Sequence, residues 1–213
     1  MTARFLAGLS AGVADDILAA ATERTFAKGT ALFREEDSAD QLVLIVAGSV
    51  RVWRTSPRGS AITLHRLGPG DLPGCTAVIR RTPYPATATA QSPARVLMWP
   101  AERIRGLFAA HPRLAANLLD SVAARNEELL QRLHEVSTLG VGPRVARTLV
   151  RATIADKTDE IALSRQEIAE LTATTLHTVS RLLSRWHRGG IVAAGRGRVT
   201  IVDRTRLAAI GEG

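Results

Sequence analysis

Residues 164–183 read SRQEIAELTATTLHTVSRLL, and this stretch decides the fold of the C-terminal part. Ser164 lies three residues before Glu167, the spacing at which a hydroxyl caps a helix and a glutamate reaches back to the capping backbone. Ile168, Ala169 and Leu171 then supply an inner face, with the small Ala169 where two helices must cross. A turn around residues 172–174 leads to a second helix, in which Leu176, Val179, Leu182 and Leu183 recur at helical spacing. His177, Thr178, Arg181 and Arg185 are left for its other faces. Two short helices joined this tightly suit insertion of the second into the major groove of duplex DNA, where such side chains meet bases or phosphates.

On the C-terminal side, Gly189-Gly190 ends the second helix. Residues 191–193 and 199–202 read as short strands joined by Gly195-Arg196-Gly197-Arg198, a wing carrying two arginines. On the N-terminal side, Gly140-Val141-Gly142-Pro143 interrupts a helical pattern, with Pro143 placed for the first turn of a helix over about 144–154. This marks a domain boundary and a candidate hinge. Before it, helical periodicity begins near Ala101, pauses at His111-Pro112 and continues as one long helix to about Leu139. Ala115, Leu119, Val122, Asn126, Leu129, Leu133 and Val136 alternate steps of four and three, a heptad seam with Asn126 as its only polar member. That seam favours a homodimer with its register fixed by Asn126. The competing use of such a stripe is packing on the chain's own barrel, which the off-seam Leu118 and Leu130 also suit.

Residues 26–100 show short β-type runs punctuated by Gly and Pro, at about 30–33, 42–46, 50–54, 62–66, 86–90 and 95–99. Many short antiparallel strands read as a barrel or jelly roll. Gly48-Ser49 separates two runs as a hairpin turn does, and Pro57-Arg58-Gly59-Ser60 marks a second reversal. The N-terminal residues 5–14, followed by Asp15, Asp16 and the periodic Ile17 and Leu18, read as an amphipathic helix rather than a signal core.

The chain has 213 residues, 46% of them apolar, and a formal charge of +8, enough for packed cores and suggestive of a polyanionic partner. The charge is uneven: residues 140–213 carry 12 Lys and Arg against 7 Asp and Glu, while residues 1–139 carry 16 against 13. Cys75 is the only cysteine, so no internal disulfide, four-thiolate iron–sulfur cluster or cysteine-based zinc site can form within one chain. No run is long enough to span a bilayer, and a cytoplasmic setting is expected.

These parts, in this order, resemble the CRP/FNR family of bacterial transcription regulators, over nearly the whole chain. The resemblance rests on Lys28-Gly29-Thr30, on Ile45-Val46-Ala47-Gly48-Ser49-Val50, on Tyr84-Pro85-Ala86-Thr87-Ala88, and most specifically on Ser164-Arg165-Gln166-Glu167-Ile168-Ala169 with Thr178-Val179-Ser180-Arg181. It implies an α+β fold: an N-terminal antiparallel β jelly-roll of the cyclic-nucleotide-binding kind (1–111), a long dimerisation helix (112–139) and a C-terminal winged helix-turn-helix (140–213). It also implies double-stranded DNA and RNA polymerase as partners. By the same resemblance Arg165 and Gln166 sit at the DNA backbone while His177, Ser180 and Arg181 face base edges, Arg181 suiting the O6 and N7 acceptors of guanine. Thr175 and Arg185, with Arg196 and Arg198 on the wing, fall to phosphates, and Thr178 is a further DNA-binding candidate. Many relatives carry Glu where His177 stands, so the operator is expected to differ from the usual half-site.

The effector pocket departs from the family pattern. Nucleotide-binding members use Gly-Glu for the ribose and Arg followed by Ser or Thr for the cyclic phosphate. Here Gly70-Asp71 precedes Leu72, and Tyr84 and Pro85 stand where the phosphate ligands belong, followed by Ala86 and Thr87. A phenol does not replace a guanidinium, and proline offers neither hydroxyl nor N–H. Asn126, Leu129 and Leu130 of the central helix complete the candidate lining, with leucines where responders place polar adenine contacts. Tight binding of cyclic AMP is therefore not expected. Three alternatives stay open: another anionic small molecule or nucleotide met by Arg80 and Arg81, haem held by His65, His111 or His134, or a pocket filled by Tyr84 and leucines. A cupin-like metal enzyme is the rival from another class, but only His65 lies among the strands, and no phosphate loop or nucleophile elbow is present.

Overall fold

The computed structural model describes residues 4–56, 59, 61–156, 158–195 and 197–213. Two compact units divide the chain within one helix, between Glu127 and Glu128. The first contains α1 (Ala11–Ala19), β1 (Thr22–Phe26), β2 (Ala31–Phe33), β3 (Gln41–Ala47), β4 (Val50–Thr55), β5 (Ala61–Leu67), α2 (Cys75–Arg80), β6 (Thr87–Ala90), β7 (Ala94–Pro100), α3 (Ala101–Ala110) and the first half of α4 (Pro112–Thr138). Its strands form two antiparallel sheets, ordered β1-β7-β3 and β2-β6-β4-β5. This is the jelly roll expected from the short runs. Leu42, Val43, Leu44 and Ile45 are all buried, so β3 is covered on both faces and reads as a continuous apolar run. Trp99 of β7 is fully buried and donates its indole N–H to the Ile17 carbonyl at 2.7 Å, while Phe5 packs on it at 5.9 Å.

Three details differ from the sequence reading. Gly48-Ser49 is not a hairpin, because β3 pairs with β7 whereas β4 pairs with β5 and β6. The chain instead crosses from one sheet to the other there. Gly48 adopts φ +85, and a Cβ on it would meet Ala94 Cα at 2.8 Å, so only glycine fits that corner. The N-terminal helix starts only at Ala11; before it, Phe5 and Leu6 are buried in a turn whose Phe5 and Ala7 carbonyls accept from Asn117 at 2.9 Å. Strand β1, TERTF, is not legible in the sequence because it is polar and exposed along most of its length, which leaves no apolar alternation to detect. Of the second reversal, β4 and β5 do pair across it, while residues 57, 58 and 60 lie outside the described residues.

The second unit holds the rest of α4, then α5 (Val141–Asp156), β8 (Glu160–Ile161), α6 (Arg165–Leu171), α7 (Leu176–Arg188), β9 (Val192–Gly195), β10 (Arg198–Ile201) and α8 (Arg204–Glu212). Antiparallel β8-β10-β9 and the helices enclose a core of Val145, Leu149, Ile161, Leu163, Ile168, Val179, Leu183, Trp186, Val199 and Leu207. The short β8 and α8 are additions to what the sequence indicates. Pro143 lies in the first turn of α5, as expected.

Side chains, not glycine torsions, define the join between α4 and α5. Neither Gly140 nor Gly142 has a left-handed φ, and a Cβ on either meets nothing closer than 3.9 Å. Glu135, 3% exposed on α4, accepts from Arg151 of α5 at 2.5 and 3.0 Å and lies 3.7 Å from Arg147. Arg147 also donates to the Gly211 carbonyl at 2.6 Å, and Arg144 donates to the Val136 and Leu139 carbonyls at 3.2 Å. A carboxylate out of water requires such partners. Glu135→Ala is expected to cost about 3 kcal/mol, the low end for breaking a buried pair because both guanidiniums keep access to water. Urea unfolding measures it, and an unchanged midpoint would show that the brace contributes nothing.

Candidate nucleic-acid interface and effector pocket

The capping box expected at Ser164 is formed: its hydroxyl accepts the Glu167 N–H at 3.2 Å and the Glu167 carboxylate accepts the Ser164 N–H at 2.6 Å. Helix α6 closes where the buried Thr172 hydroxyl donates to the Ile168 carbonyl at 2.6 Å. Ala173 takes φ +49 in the turn, and Thr175 caps α7 by accepting the Thr178 N–H at 3.1 Å. Val179, Leu183 and Trp186 form the buried stripe of α7. Leu176, expected on the inner face, is 48% exposed at the first helical residue, and Trp186 holds the last turn instead. After α7, Gly190 takes φ +68 and the Ile191 N–H bonds the Trp186 carbonyl at 2.9 Å.

With that stripe buried, His177, Arg181 and Arg185 are exposed, and Thr178 and Ser180 are half-buried. On α6, Arg165 is half-buried and the exposed Gln166 donates to Glu170 at 3.1 Å. Strands β9 and β10 form the wing in the register Arg198 to Gly195 through Ile201 to Val192. Arg198 is exposed and pairs with Glu160 at 3.3 Å, which leaves it less free for a phosphate than the sequence implied. Arg196 lies outside the described residues.

In the barrel, Tyr84 is buried with its ring stacked on Phe33, centroids 3.8 Å apart, and its hydroxyl donates to the Gln41 carbonyl at 2.7 Å. Gly74 gives it room, since a Cβ there would meet the ring at 2.6 Å. Burial pushes the phenol up to about 12. Asp71 accepts the Gly68 N–H at 2.8 Å and pairs with Arg125 of α4. Arg125 escapes a reading of the sequence because it sits beside the heptad seam, among the helix's ordinary surface charges. Gly70 takes φ +96 and donates to the Ile45 carbonyl at 2.8 Å. Leu72, Ala86 and Thr87 are buried, Thr87 accepting the Glu35 N–H at 3.0 Å, while Pro85 is exposed. Arg80 and Arg81 are exposed at the end of α2. On α4, Leu129 is half-buried, whereas Asn126 and Leu130 are exposed. Leu118 packs into the barrel core as its off-seam position suggests; Leu130, 57% exposed, does not pack there.

Residues 23–111 match the family described as the cyclic nucleotide-binding domain, and residues 143–210 match the Crp-like helix-turn-helix domain. The chain is 29% identical over 214 residues, 95% of each partner, to the CRP-like cAMP-activated global transcriptional regulator of Mycobacterium tuberculosis. It is also 29% identical to the cyclic AMP receptor protein of Thermus thermophilus, covering 97% of this chain and 95% of that one. The chain belongs to the CRP/FNR family of DNA-binding transcription regulators. Its fold superposes with a TM-score of 0.81 on the c-di-GMP responsive global regulator CLP of Xanthomonas campestris, at 21% identity over 90% of this chain and 99% of that one.

Within the CRP/FNR fold the expected site residues separate into two sets. His177, Thr178, Ser180, Arg181 and Arg185 share one short helix, while Asp71 and Tyr84 lie in the barrel and engage protein partners. His65 is on β5, His111 follows α3 and His134 is exposed on α4. Among the described residues no three His, Cys, Asp or Glu gather to hold a metal, and no helix is long and apolar enough to cross a membrane. Cys75 is buried, which raises its thiol to about 11. Tyr84 is the only tyrosine, so its titration can be read without ambiguity. With a folded pKa above the ordinary 10, the phenol contributes stability that is full below pH 10 and lost as pH rises towards 12. Tyrosinate absorbance of the folded protein is expected to rise with a midpoint near 12; a midpoint near 10 would put the ring in water.

Proposed function

We propose that two copies of this chain pair along α4 and read a roughly palindromic operator with their α7 helices, as a regulator whose barrel pocket is not built for cyclic AMP. The observation that carries this reading is α7 itself: three buried side chains fix its rotation, and the opposite face offers His177 and Arg181 to base edges with arginines beside them. Arg165, Gln166, Thr175 and the wing arginines are assigned to backbone phosphates. Pairing along α4 is supported by Leu119, Leu133 and Val136, which are 67%, 63% and 41% exposed in the single chain. Apolar side chains at heptad spacing gain most from a second copy, and a two-fold dimer sets reading helices about 34 Å apart, one turn of DNA.

The relatives' names speak of cyclic AMP, but this pocket supplies a stacked, hydrogen-bonded Tyr84 and an exposed Pro85 in place of a guanidinium and a hydroxyl. Asp71 is already paired with Arg125. A self-filled pocket accounts for these contacts. Any signal that reaches the barrel passes to DNA through the α4–α5 join, so the state of that join biases the spacing of the reading helices. A cytoplasmic regulator acting with RNA polymerase, not a catalyst, is the resulting role.

Selection from a random pool of duplexes is expected to yield a near-palindromic site bound without cyclic AMP, with affinity falling steeply as salt rises. Arg181→Ala is expected to weaken that site by about 1–3 kcal/mol while sparing nonspecific duplex. Enrichment of no sequence would end the reading, and equal losses on both duplexes would make Arg181 a phosphate clamp.

A further inference from the structure

The recognition helix carries more positive charge than base reading requires. Arg181, Arg185 and Arg188 stand four and three residues apart, so they line one face over about 10 Å of helix. All three are exposed, and among the described residues none of their guanidiniums has a hydrogen bond or ion pair. Like charges at this spacing repel. Several other arginines of the same unit are engaged: Arg147 and Arg151 on Glu135, Arg198 on Glu160, Arg204 on Asp159. The three free guanidiniums instead border one open cleft of about 290 Å³, lined also by Thr178, Leu182 and the Val141-Gly142 start of α5. No carboxylate lines it. Arginine forks match phosphate oxygens bidentately, and a wall of three with no acid among them suits a polyanion.

We propose that this cleft seats the phosphodiester backbone beside the bases that α7 reads, with Arg185 and Arg188 as its clamps. The assignment rests on α7 being the DNA-reading helix and adds a phosphate ligand, Arg188, outside the helix-turn-helix pattern. Because the cleft also includes Arg181, one face of α7 couples base reading to backbone grip. Arg188 stands seven residues beyond Arg181, so it anchors the C-terminal end of the helix while His177 and Arg181 occupy the groove.

The test is fluorescence anisotropy of the full chain on its selected duplex and on an unrelated duplex, across a salt series. Arg188→Ala is expected to weaken both duplexes by a similar factor and to lower the slope of log K against log salt by about 0.9 for each phosphate it no longer neutralises, once per chain. Arg188→Lys, which keeps the charge, is expected to restore most of the slope, separating removal of the cation from a failure to fold. Wild-type selection with an unchanged slope in Arg188→Ala would overturn the cleft and leave the reading helix standing. If the wild type selects no duplex, both assignments fall. Calorimetric binding of inorganic pyrophosphate that Arg188→Ala abolishes, together with an unchanged slope, would assign the cleft to a soluble anion and overturn the proposal.

Discussion

Burial of Val179, Leu183 and Trp186 fixes the rotation of α7 about its own axis, and the chemistry of the C-terminal unit follows from it. A thirteen-residue helix is marginal alone in water, so the apolar stripe gives it both stability and aim. Each of these side chains contributes roughly 1.5–3 kcal/mol of transfer free energy on burial, which exceeds the few tenths by which the arginines on the opposite face repel one another. The core therefore holds in place a charged surface that disfavours itself until a polyanion arrives. The capping bonds of Ser164 and Thr175 do the same for the helix starts, setting where the first residue of each points.

A second constraint operates at the join of α4 and α5. Glu135 is a buried carboxylate on the last turns of the long helix, and its cations come from α5. That arrangement changes the meaning of the glycines at 140 and 142, whose torsions any residue can adopt. Movement at this join would be governed by the ionic contacts of Arg147 and Arg151 with Glu135 and by the bonds of Arg144 to the Val136 and Leu139 carbonyls. In the barrel the corresponding groups face inward: Tyr84 holds Phe33 and the Gln41 carbonyl, and Asp71 holds Arg125.

The features written into the sequence by spacing are legible in it. The capping box at Ser164, the break at Pro143, six of the barrel strands and the turn between α6 and α7 all depend on neighbours within a few residues. What cannot be read there depends on pairings distant in sequence. Strand β1 exists because β7 pairs with it; the corner at Gly48 is a sheet change instead of a hairpin because β3 and β4 find partners elsewhere. Leu176 misses the core because, as the first residue of α7, it lies at the rim, while Trp186 packs at the other end of the helix. Tyr84 is recognisable as a misfit for a phosphate site, but its stacking on Phe33 is not, since the two rings belong to segments far apart along the chain.

On the proposed function, two copies of the chain, joined along α4, act as one reader of duplex DNA. Sedimentation equilibrium of the full chain with its selected duplex tests it most directly. A complex of two chains on one duplex is expected, formed from a protein already dimeric before DNA is added. A monomer that binds the duplex singly, with each half-site filled independently, would contradict it.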